Sequence, residues 1–386
     1  MTQSVLVIGG GGRIGRQVAA DILTYTAAEV VITGRRAATV VAELPDDKLT
    51  NDKLADDKLA DDKLADERLS RQRYQVLALE EMAAVERAIA QHDLIVHCAG
   101  PFRSRNHHVL ASCIAQGKPY LDVADSPDYV NQALTYRQAA QAAGVTAVIS
   151  TGIFPGISGS MVRQGIEQLD TAESVHLSYL VAGSGGAGVT VMRTTFIELQ
   201  TPFMSKIQGK WRAIAPYSQR EVLTFPRYGK GGVYWFNTVE ALTVADTFPQ
   251  LQTIVTKFGS VPDYYNRLTG LMAKMPKAIL KNPTVIEKLS QISYRMTQIT
   301  DPQTGVGIAM RILIEGHKGG EPARYLATFD HEDTAFCAGC GTGALAQLLL
   351  SGKLKKPGVW PVEQILPTEL FEATLAQRKL TVELVQ

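Results

Sequence analysis

Short apolar runs alternate with amphipathic segments over the first 150 residues. Apolar runs between turn-forming residues are typical of buried strands, whereas apolar positions three and four residues apart indicate helices. On this basis strands are predicted at 5–8, 30–36, 74–79, 94–98, within 118–125 and at 146–150, and helices at 81–91, 106–116 and 127–143. Strands that alternate with helices predict an α/β domain with a parallel sheet over residues 1–150.

The pattern changes after residue 150. An alternating run at 175–181 predicts one strand, and runs at 307–314 and 323–329 flank a turn at 317–321, as in a β-hairpin. Residues from about 262 to 296 are predicted to be helical. The chain from 151 to 335 is therefore expected to form a second, α+β domain that contains an antiparallel sheet.

A glycine-rich turn follows the first predicted strand. Gly10, Gly12 and Gly15 have the spacing G-x-G-x-x-G, which permits a tight turn, close approach of the backbone to a pyrophosphate, and close packing of helix against strand. The helix that follows presents its backbone N–H groups to an anion. Because the motif lies between a strand and a helix, it predicts a dinucleotide-binding domain of the Rossmann type, with a doubly wound parallel sheet.

The end of the second strand bears on which dinucleotide binds. An acidic residue at this place normally makes a hydrogen bond with the ribose 2′-hydroxyl of NAD, whereas this chain has Thr33-Gly34-Arg35-Arg36. Two guanidinium groups suit a 2′-phosphate, so Arg35 and Arg36 favour NADP over NAD. The alternative is that these arginines only occupy a solvated loop.

Consecutive pentads occupy residues 46–70, from Asp46-Asp47-Lys48-Leu49-Thr50 to Asp66-Glu67-Arg68-Leu69-Ser70. Leucines five residues apart wind around a helix and form no single apolar stripe, so the repeat does not provide a core face. We expect an acidic, solvated insertion on the surface of the first domain, either helical or disordered. The alternative is an acidic docking arm.

Composition narrows the class of protein. The formal net charge of +1 gives no electrostatic argument for nucleic-acid binding, so small-molecule chemistry is the default expectation. No signal-peptide pattern precedes the first strand, and no apolar run is long enough for a transmembrane helix, so we expect a cytoplasmic protein without an integral membrane segment. The 4 cysteines are too few for a disulfide scaffold.

Several sequence blocks occur in a characteristic order: GGGGRIGR, ITGRR, DLIVHCAGPF, HHVLASCIAQGKPYLDVAD, GIFPGISG and, later, TGALAQLLLSGKLKKPGVWPVEQIL. In this order the chain resembles the saccharopine dehydrogenase-like NADP-binding oxidoreductases. The resemblance implies a Rossmann domain, an α+β substrate and dimerisation domain on a mixed or antiparallel sheet, and a C-terminal helical segment, residues 336–386, that returns to the first domain. It also implies NADP as cofactor, a small-molecule substrate and a homodimer.

The resemblance implies three groups of cofactor contacts, carried over by matching motif. They are Gly10, Gly12, Arg13, Ile14 and Gly15 at the pyrophosphate, Arg35 and Arg36 at the 2′-phosphate, and Cys98, Ala99, Gly100 and Pro101 beside the ribose. One departure concerns the substrate. Many relatives continue from the Tyr-x-Asp strand into a glutamate, whereas this chain has Asp125-Ser126-Pro127. This difference weakens an assignment of the namesake enzyme's amino-acid substrate.

Catalytic residues should lie where the nicotinamide ring ends, which we expect between the two domains. The candidates by position are His107, His108, Asp122 and Asp125. A histidine can exchange the proton that accompanies hydride transfer because its pKa lies near neutrality. The alternatives are that the two histidines are surface or capping residues of a helix, and that Asp122 only satisfies backbone donors. His97, in an apolar strand, is expected to be a core residue.

These observations predict an NADP(H)-dependent oxidoreductase that transfers hydride to or from a C=N, C=O or C=C bond of a small or lipid-like metabolite. A non-catalytic NADP-binding redox sensor or scaffold is the alternative, because Rossmann folds serve many functions. No tyrosine is followed four residues later by lysine, so the catalytic pair of short-chain dehydrogenases is absent. The pair Cys337-Ala338-Gly339-Cys340 lacks a second pair that would complete a zinc site, and no metal is expected.

Overall fold

The chain divides into two compact units. The computed structural model describes residues 2–35, 66–183, 189–199, 201–276 and 282–385. The first unit comprises Met1–Gly156 and Ala335–Leu366, and the second comprises Ile157–Thr334 and Pro367–Gln386. Residues 46–65 of the pentad repeat lie outside the described residues, while residues 66–70 are helical.

The first part of the chain alternates strands and helices. Its elements are β1 (Ser4–Ile8), α1 (Arg13–Tyr25), β2 (Glu29–Gly34), β3 (Gln72–Val76), α2 (Met82–Ala90), β4 (Leu94–His97), a 3-10 turn (Phe102–Ser104), α3 (His108–Ala115), β5 (Tyr120–Asp122), α4 (Pro127–Leu134), α5 (Arg137–Ala142) and β6 (Thr146–Ile149).

The second unit follows with further strands and helices. Its elements are α6 (Ile157–Ile166), β7 (Thr171–Ala182), α7 (Val189–Glu198), β8 (Phe203–Ile207), β9 (Lys210–Ile214), β10 (Glu221–Phe225), β11 (Gly229–Trp235), α8 (Glu240–Thr247), β12 (Thr253–Val261), α9 (Asp263–Ala273), α10 (Pro283–Thr304), β13 (Gly307–Lys318) and β14 (Glu321–His331). The C-terminal elements are α11 (Thr334–Leu350), β15 (Gly358–Pro361), α12 (Val362–Ile365), α13 (Thr368–Gln377) and β16 (Glu383–Leu384).

The first unit is built on a 7-stranded sheet in the order β15-β6-β5-β4-β1-β2-β3. Every neighbouring pair is parallel. The predicted doubly wound parallel sheet is confirmed. Its strand order runs one way from β1 to β3 and the other way from β1 through β4 to β6, so the order reverses beside β1 and β4. Ligands bind at the carboxyl ends of strands at such a point.

Two local predictions in this unit differ from the structure. The helix predicted over 127–143 is two helices, because the chain turns at Thr135, whose hydroxyl donates to the carbonyl of Gln132. Strand β15 was not predicted. It has only four residues and ends in proline, and it is a strand because it pairs with β6.

The second unit contains a mixed sheet in the order β10-β11-β12-β7-β13-β14-β16. Strands β12 and β7 are parallel and the other pairs are antiparallel. The predicted hairpin is β13–β14, and the predicted α+β character of this region is confirmed. Helix α6 packs on one face of the sheet, where a Cβ on Gly165 would overlap the ring of Tyr325.

The C-terminal segment is divided between the two units, which differs from the expectation. Residues 336–386 were expected to return to the first domain, but only the chain up to Leu366 does so, and Pro367–Gln386 belongs to the second unit. There Glu372 accepts a hydrogen bond from Gln164, and β16 pairs with β14. Among the described residues, no helix has the length and apolar character that a membrane span requires.

Candidate functional site

A tight glycine turn connects β1 to α1. Gly9 has a φ of +79°, and a Cβ at this position would lie 2.8 Å from the backbone of Ala99. Gly12 is the N-cap of α1, where no side chain caps the helix and no acidic residue lies in the first turn. Gly12, Arg13 and Ile14 are exposed. The backbone N–H groups at this helix end can therefore bind an anion.

Two other glycines of the turn are required by packing. A Cβ on Gly15 would overlap the carbonyl oxygen of Gly9, and a Cβ on Gly10 would lie 2.6 Å from the side chain of Ile32. These contacts bring α1 close to β1 and β2. The tight turn itself is at Gly9, a residue that the sequence prediction omitted. Its signal was available, because Gly9 directly follows the last apolar residue of the strand.

The end of β2 supports the glycine turn. The backbone N–H of Gly11 donates to the carbonyl of Thr33 at 3.2 Å, and the N–H of Gly9 donates to Thr33 Oγ1 at 3.2 Å. Arg35 directly follows β2 and is exposed. Arg36 lies outside the described residues. Thr33 thus ties the end of β2 to the glycine turn, and Arg35 follows it by two residues.

A second turn, Cys98–Pro101, follows β4 and contacts the glycine turn. The N–H of Cys98 donates to the carbonyl of Ile8 at 2.7 Å, and Ala99 is the residue that leaves no room for a side chain at Gly9. Gly100 and Pro101 are exposed. The two turns therefore lie side by side at the carboxyl ends of β1 and β4, where the strand order reverses.

Arg105 stabilises this second turn and was missed from sequence. Its Nε donates to the carbonyl of Ala99 at 3.0 Å and its Nη2 to the carbonyl of Gly100 at 3.3 Å. A guanidinium group makes strong hydrogen bonds in a fixed geometry, so Arg105 positions the backbone of the turn. No rule of sequence spacing predicts that an arginine near a motif will hold a turn in this way.

Asp122 is completely buried at the end of β5. Its Oδ1 accepts from the backbone N–H of Ser150 at 2.8 Å and of Ala124 at 3.0 Å, and its Oδ2 accepts from the Tyr120 hydroxyl at 3.0 Å. Burial raises the pKa of Asp122 to about 6, and the three hydrogen bonds oppose this rise. The carboxylate ties the end of β5 to the residue that follows β6.

His97 lies beside this carboxylate and is 1% exposed. Desolvation lowers its pKa to about 3, so the ring is neutral near pH 7. Its Nδ1 lies 3.2 Å from the hydroxyl oxygen of Tyr120. Because Tyr120 donates its single proton to Asp122, Nδ1 of His97 is assigned as the donor to Tyr120. Its Nε2 has no hydrogen-bond partner among the residues that the structure describes. His97 is thus buried, as expected of a core residue, with one ring nitrogen unsatisfied.

The other catalytic candidates differ in their access to a ligand. His107 is buried, with Nε2 2.9 Å from the carbonyl oxygen of Tyr129 and its ring stacked on that of Tyr129. His108 Nε2 lies 3.6 Å from Glu86 Oε1. Asp125 is exposed to solvent, yet the surrounding protein desolvates its carboxyl group and raises its pKa. Of these side chains, that of Asp125 is the most accessible to a ligand.

Helix α11 packs against α1 through small residues. A Cβ on Gly339 would lie 2.7 Å from Gln17, and one on Gly343 would overlap the carboxyl group of Asp21. Cys337 and Cys340, on the same helix, are buried and form no disulfide bond among the described residues. Within the described ranges, no group of three or more His, Cys, Asp or Glu side chains is placed to hold a metal ion.

Comparison with known proteins agrees with this geometry. Residues 5–148 match the family model of the saccharopine dehydrogenase NADP-binding domain. The chain is 21% identical over 312 residues to carboxynorspermidine synthase of Vibrio cholerae, covering 72% of this chain and 74% of the relative. It is 21% identical over 314 residues to carboxynorspermidine synthase of Vibrio alginolyticus, covering 73% and 75%.

A solved structure shares the fold over the whole chain. The apo saccharopine dehydrogenase (L-Glu forming) from Saccharomyces cerevisiae aligns with 100% of this chain and 100% of its own, at a TM-score of 0.65 and 10% sequence identity. The match includes a Rossmann-like parallel sheet and a second domain with a mixed sheet. Residues 5–148 therefore match the saccharopine dehydrogenase NADP-binding domain, and this match supports an NADP-dependent oxidoreductase.

Proposed function

We propose that this protein transfers hydride between NADP(H) and a C=N, C=O or C=C bond of a small metabolite. The observation that carries the proposal is the contact between the glycine turn and the turn Cys98–Pro101, because a dinucleotide can lie across two turns that meet at the carboxyl ends of β1 and β4. The relatives named carboxynorspermidine synthase favour a reaction partner that carries amine and carboxylate groups. We propose that the second unit provides the substrate surface.

We propose three groups of cofactor contacts. The pyrophosphate would lie against the start of α1, at Gly12, Arg13, Ile14 and Gly15, while Gly9 and Gly10 shape the turn. Arg35 and Arg36 would bind the 2′-phosphate, and Cys98, Ala99, Gly100 and Pro101 would lie beside the ribose. When bound, NADPH supplies the hydride, and the protein's task is to bind, orient and exclude water.

Reduction of a C=N or C=O bond also consumes a proton, and we propose that Asp125 supplies it. Asp125 is exposed and its carboxyl group has a raised pKa, which favours a protonated acid at higher pH than an ordinary aspartate would allow. Asp122 is assigned as a positioning residue, because all its described hydrogen bonds are to groups of β5, β6 and the segments that follow them. His107 is likewise engaged with Tyr129.

The test measures NADPH oxidation against a panel of imines formed from amines and keto or aldehyde acids, with carbonyl and enone compounds as further arms. Asp125→Asn is expected to lower kcat about a hundredfold, as loss of a general acid does, with NADPH affinity unchanged. Asp128→Asn, an exposed carboxylate on α4, is the matched control. Tight NADPH binding without turnover of any compound would instead favour a non-catalytic sensor or scaffold.

We further propose a homodimer formed through the second unit. Its helices α9 and α10 expose large apolar side chains, of which Leu271 is 64% exposed and Ile299 75% exposed. Leu268 and Ile292 on the same helices are also exposed. Clustered apolar exposure of this kind often marks a protein interface. Sedimentation should show a dimer for the wild type and weaker dimerisation for Leu271→Glu. A monomeric wild type contradicts the proposal.

A further inference from the structure

One face of the mixed sheet brings polar side chains into a row across neighbouring strands. Arg311 on β13 pairs in register with Ser178 on β7 and with Thr328 on β14. Lys257 on β12 pairs with Ser178 from the other side. Residues directly opposite each other on neighbouring strands share a face, so these four side chains lie on the face opposite to the one that α6 covers.

Arg311 has no ion-pair partner on this face among the described residues, although the exposed Glu383 on β16 lies in register with Thr328. Lys257 Nζ lies 2.8 Å from Glu221 Oε2, and Arg324 Nε lies 3.0 Å from Glu315 Oε1, so these two pairs are neutral. Arg311 is half-buried and makes neither an ion pair nor a hydrogen bond with the part of the chain that the structure describes. Desolvation lowers its pKa, and the charge of Glu221 opposes this only in part.

A buried hydroxyl beside Arg311 is also unsatisfied. Thr328 is 4% exposed, and its Oγ1 has no hydrogen-bond partner among the described residues. A buried polar group without a partner costs free energy, so a partner that the chain does not supply is expected. Because residues directly opposite in an antiparallel pair have Cβ atoms about 5 Å apart, one ligand group can contact both Arg311 and Thr328.

We propose that Arg311 and Thr328 form a binding site for an oxyanion, the carboxylate or phosphate group of a small molecule. A guanidinium group matches either anion with two parallel N–H···O bonds, and the threonine hydroxyl donates a third hydrogen bond. The anion supplies the charge that Arg311 lacks and the acceptor that Thr328 lacks. The site lies entirely within the second unit and uses none of the residues proposed for NADP(H) or for proton transfer.

Calorimetric titration of the full-length protein tests this site. Inorganic phosphate and succinate are the two probes, each at constant ionic strength maintained with chloride, and saturating NADPH occupies the glycine turn. We expect saturable binding of one or both probes to the wild type. Arg311→Gln should abolish this binding, and Thr328→Val, which removes the hydroxyl and keeps the shape, should weaken it about tenfold. Arg324→Gln, whose arginine already pairs with Glu315, is the matched control and should bind as the wild type does.

The outcomes separate the possibilities. Binding of phosphate alone or of succinate alone supports the site and identifies the anion it prefers. Binding of neither probe to the wild type overturns the proposal, as does undiminished binding to a folded Arg311→Gln variant. Should that variant fail to fold, undiminished binding to Thr328→Val overturns it equally. A wild-type dimer that Arg311→Gln converts to monomer, with no probe bound, would mean that Arg311 meets a second copy instead.

Discussion

Replacement of Asp122 by asparagine should change how stability depends on pH. Burial raises the pKa of this carboxyl group from 3.8 to about 6, so the native protein holds the proton to a higher pH than the unfolded chain does. Stability from this group is therefore present at low pH and is lost as the pH rises from about 4 to about 6. A difference of about two pKa units corresponds to about 3 kcal/mol.

The asparagine variant should lack this loss. Its side-chain oxygen can still accept from the N–H groups of Ser150 and Ala124, and its amide can donate to the Tyr120 hydroxyl oxygen, so the shape and most hydrogen bonds are kept. We expect the stability of wild type minus that of Asp122→Asn to fall by up to about 3 kcal/mol between pH 4 and pH 7. Asp122→Ala, by contrast, leaves three donors without an acceptor and should destabilise at every pH.

Hydrogen exchange followed by mass spectrometry is the suitable assay, because a chain of two units need not unfold in one step. Peptides covering 120–124 and 146–150 report the opening of this part of the sheet, with wild type and variant compared at each pH. Tyr120→Phe is a second check: it removes a hydrogen bond that lowers the pKa of Asp122, so the pH window should move upward. The reasoning would be refuted if the stability of the wild type minus that of Asp122→Asn stayed constant or grew as the pH rises.

Three further changes test the cofactor site. Gly15→Ala places a methyl group against the Gly9 carbonyl in a rigid turn, so NADPH binding should be lost and stability should fall by about 1–3 kcal/mol, as measured by titration and thermal unfolding. Arg35→Ala should weaken NADPH binding at least tenfold and NADH binding much less; equal losses would contradict contact with the 2′-phosphate. Arg105→Gln releases the carbonyls of Ala99 and Gly100, so NADPH affinity should fall several-fold while the parallel sheet stays folded, as circular dichroism can show.

Local sequence signals predicted the parts of the fold that depend on neighbouring residues. The parallel sheet followed from apolar runs separated by helical segments, and the resemblance to the saccharopine dehydrogenase NADP-binding domain followed from motifs that are continuous in the chain. Boundaries were less accurate: the strand predicted at 74–79 is Gln72–Val76, and the helix predicted at 106–116 is His108–Ala115. The ends of elements depend on which backbone groups find partners across the sheet or in a turn, and that is not a local property.

Position along the sequence was not enough to identify the catalytic residue among the candidates. His107, His108, Asp122 and Asp125 all follow strands or begin a helix near the expected site, and sequence could not rank them. The structure separates them by burial and hydrogen bonding: Asp122 and His107 are engaged inside the protein, whereas Asp125 is exposed. Burial and hydrogen-bond partners arise from contacts between residues distant in sequence, so no pattern along the chain encodes them directly.

By itself the sequence determined that the chain begins with a dinucleotide-binding unit, because a strand, a turn of glycines and a helix are specified by residues within one short segment. Only the tertiary structure decided that Gly9 makes the tight turn against Ala99, that Arg105 holds the second turn, and that β15 joins the sheet from near the C-terminus. It also placed Arg311 beside Thr328, residues on neighbouring strands of the mixed sheet. Steric overlap, strand pairing and unsatisfied polar groups are properties of packed neighbours, and they exist only once the chain has folded.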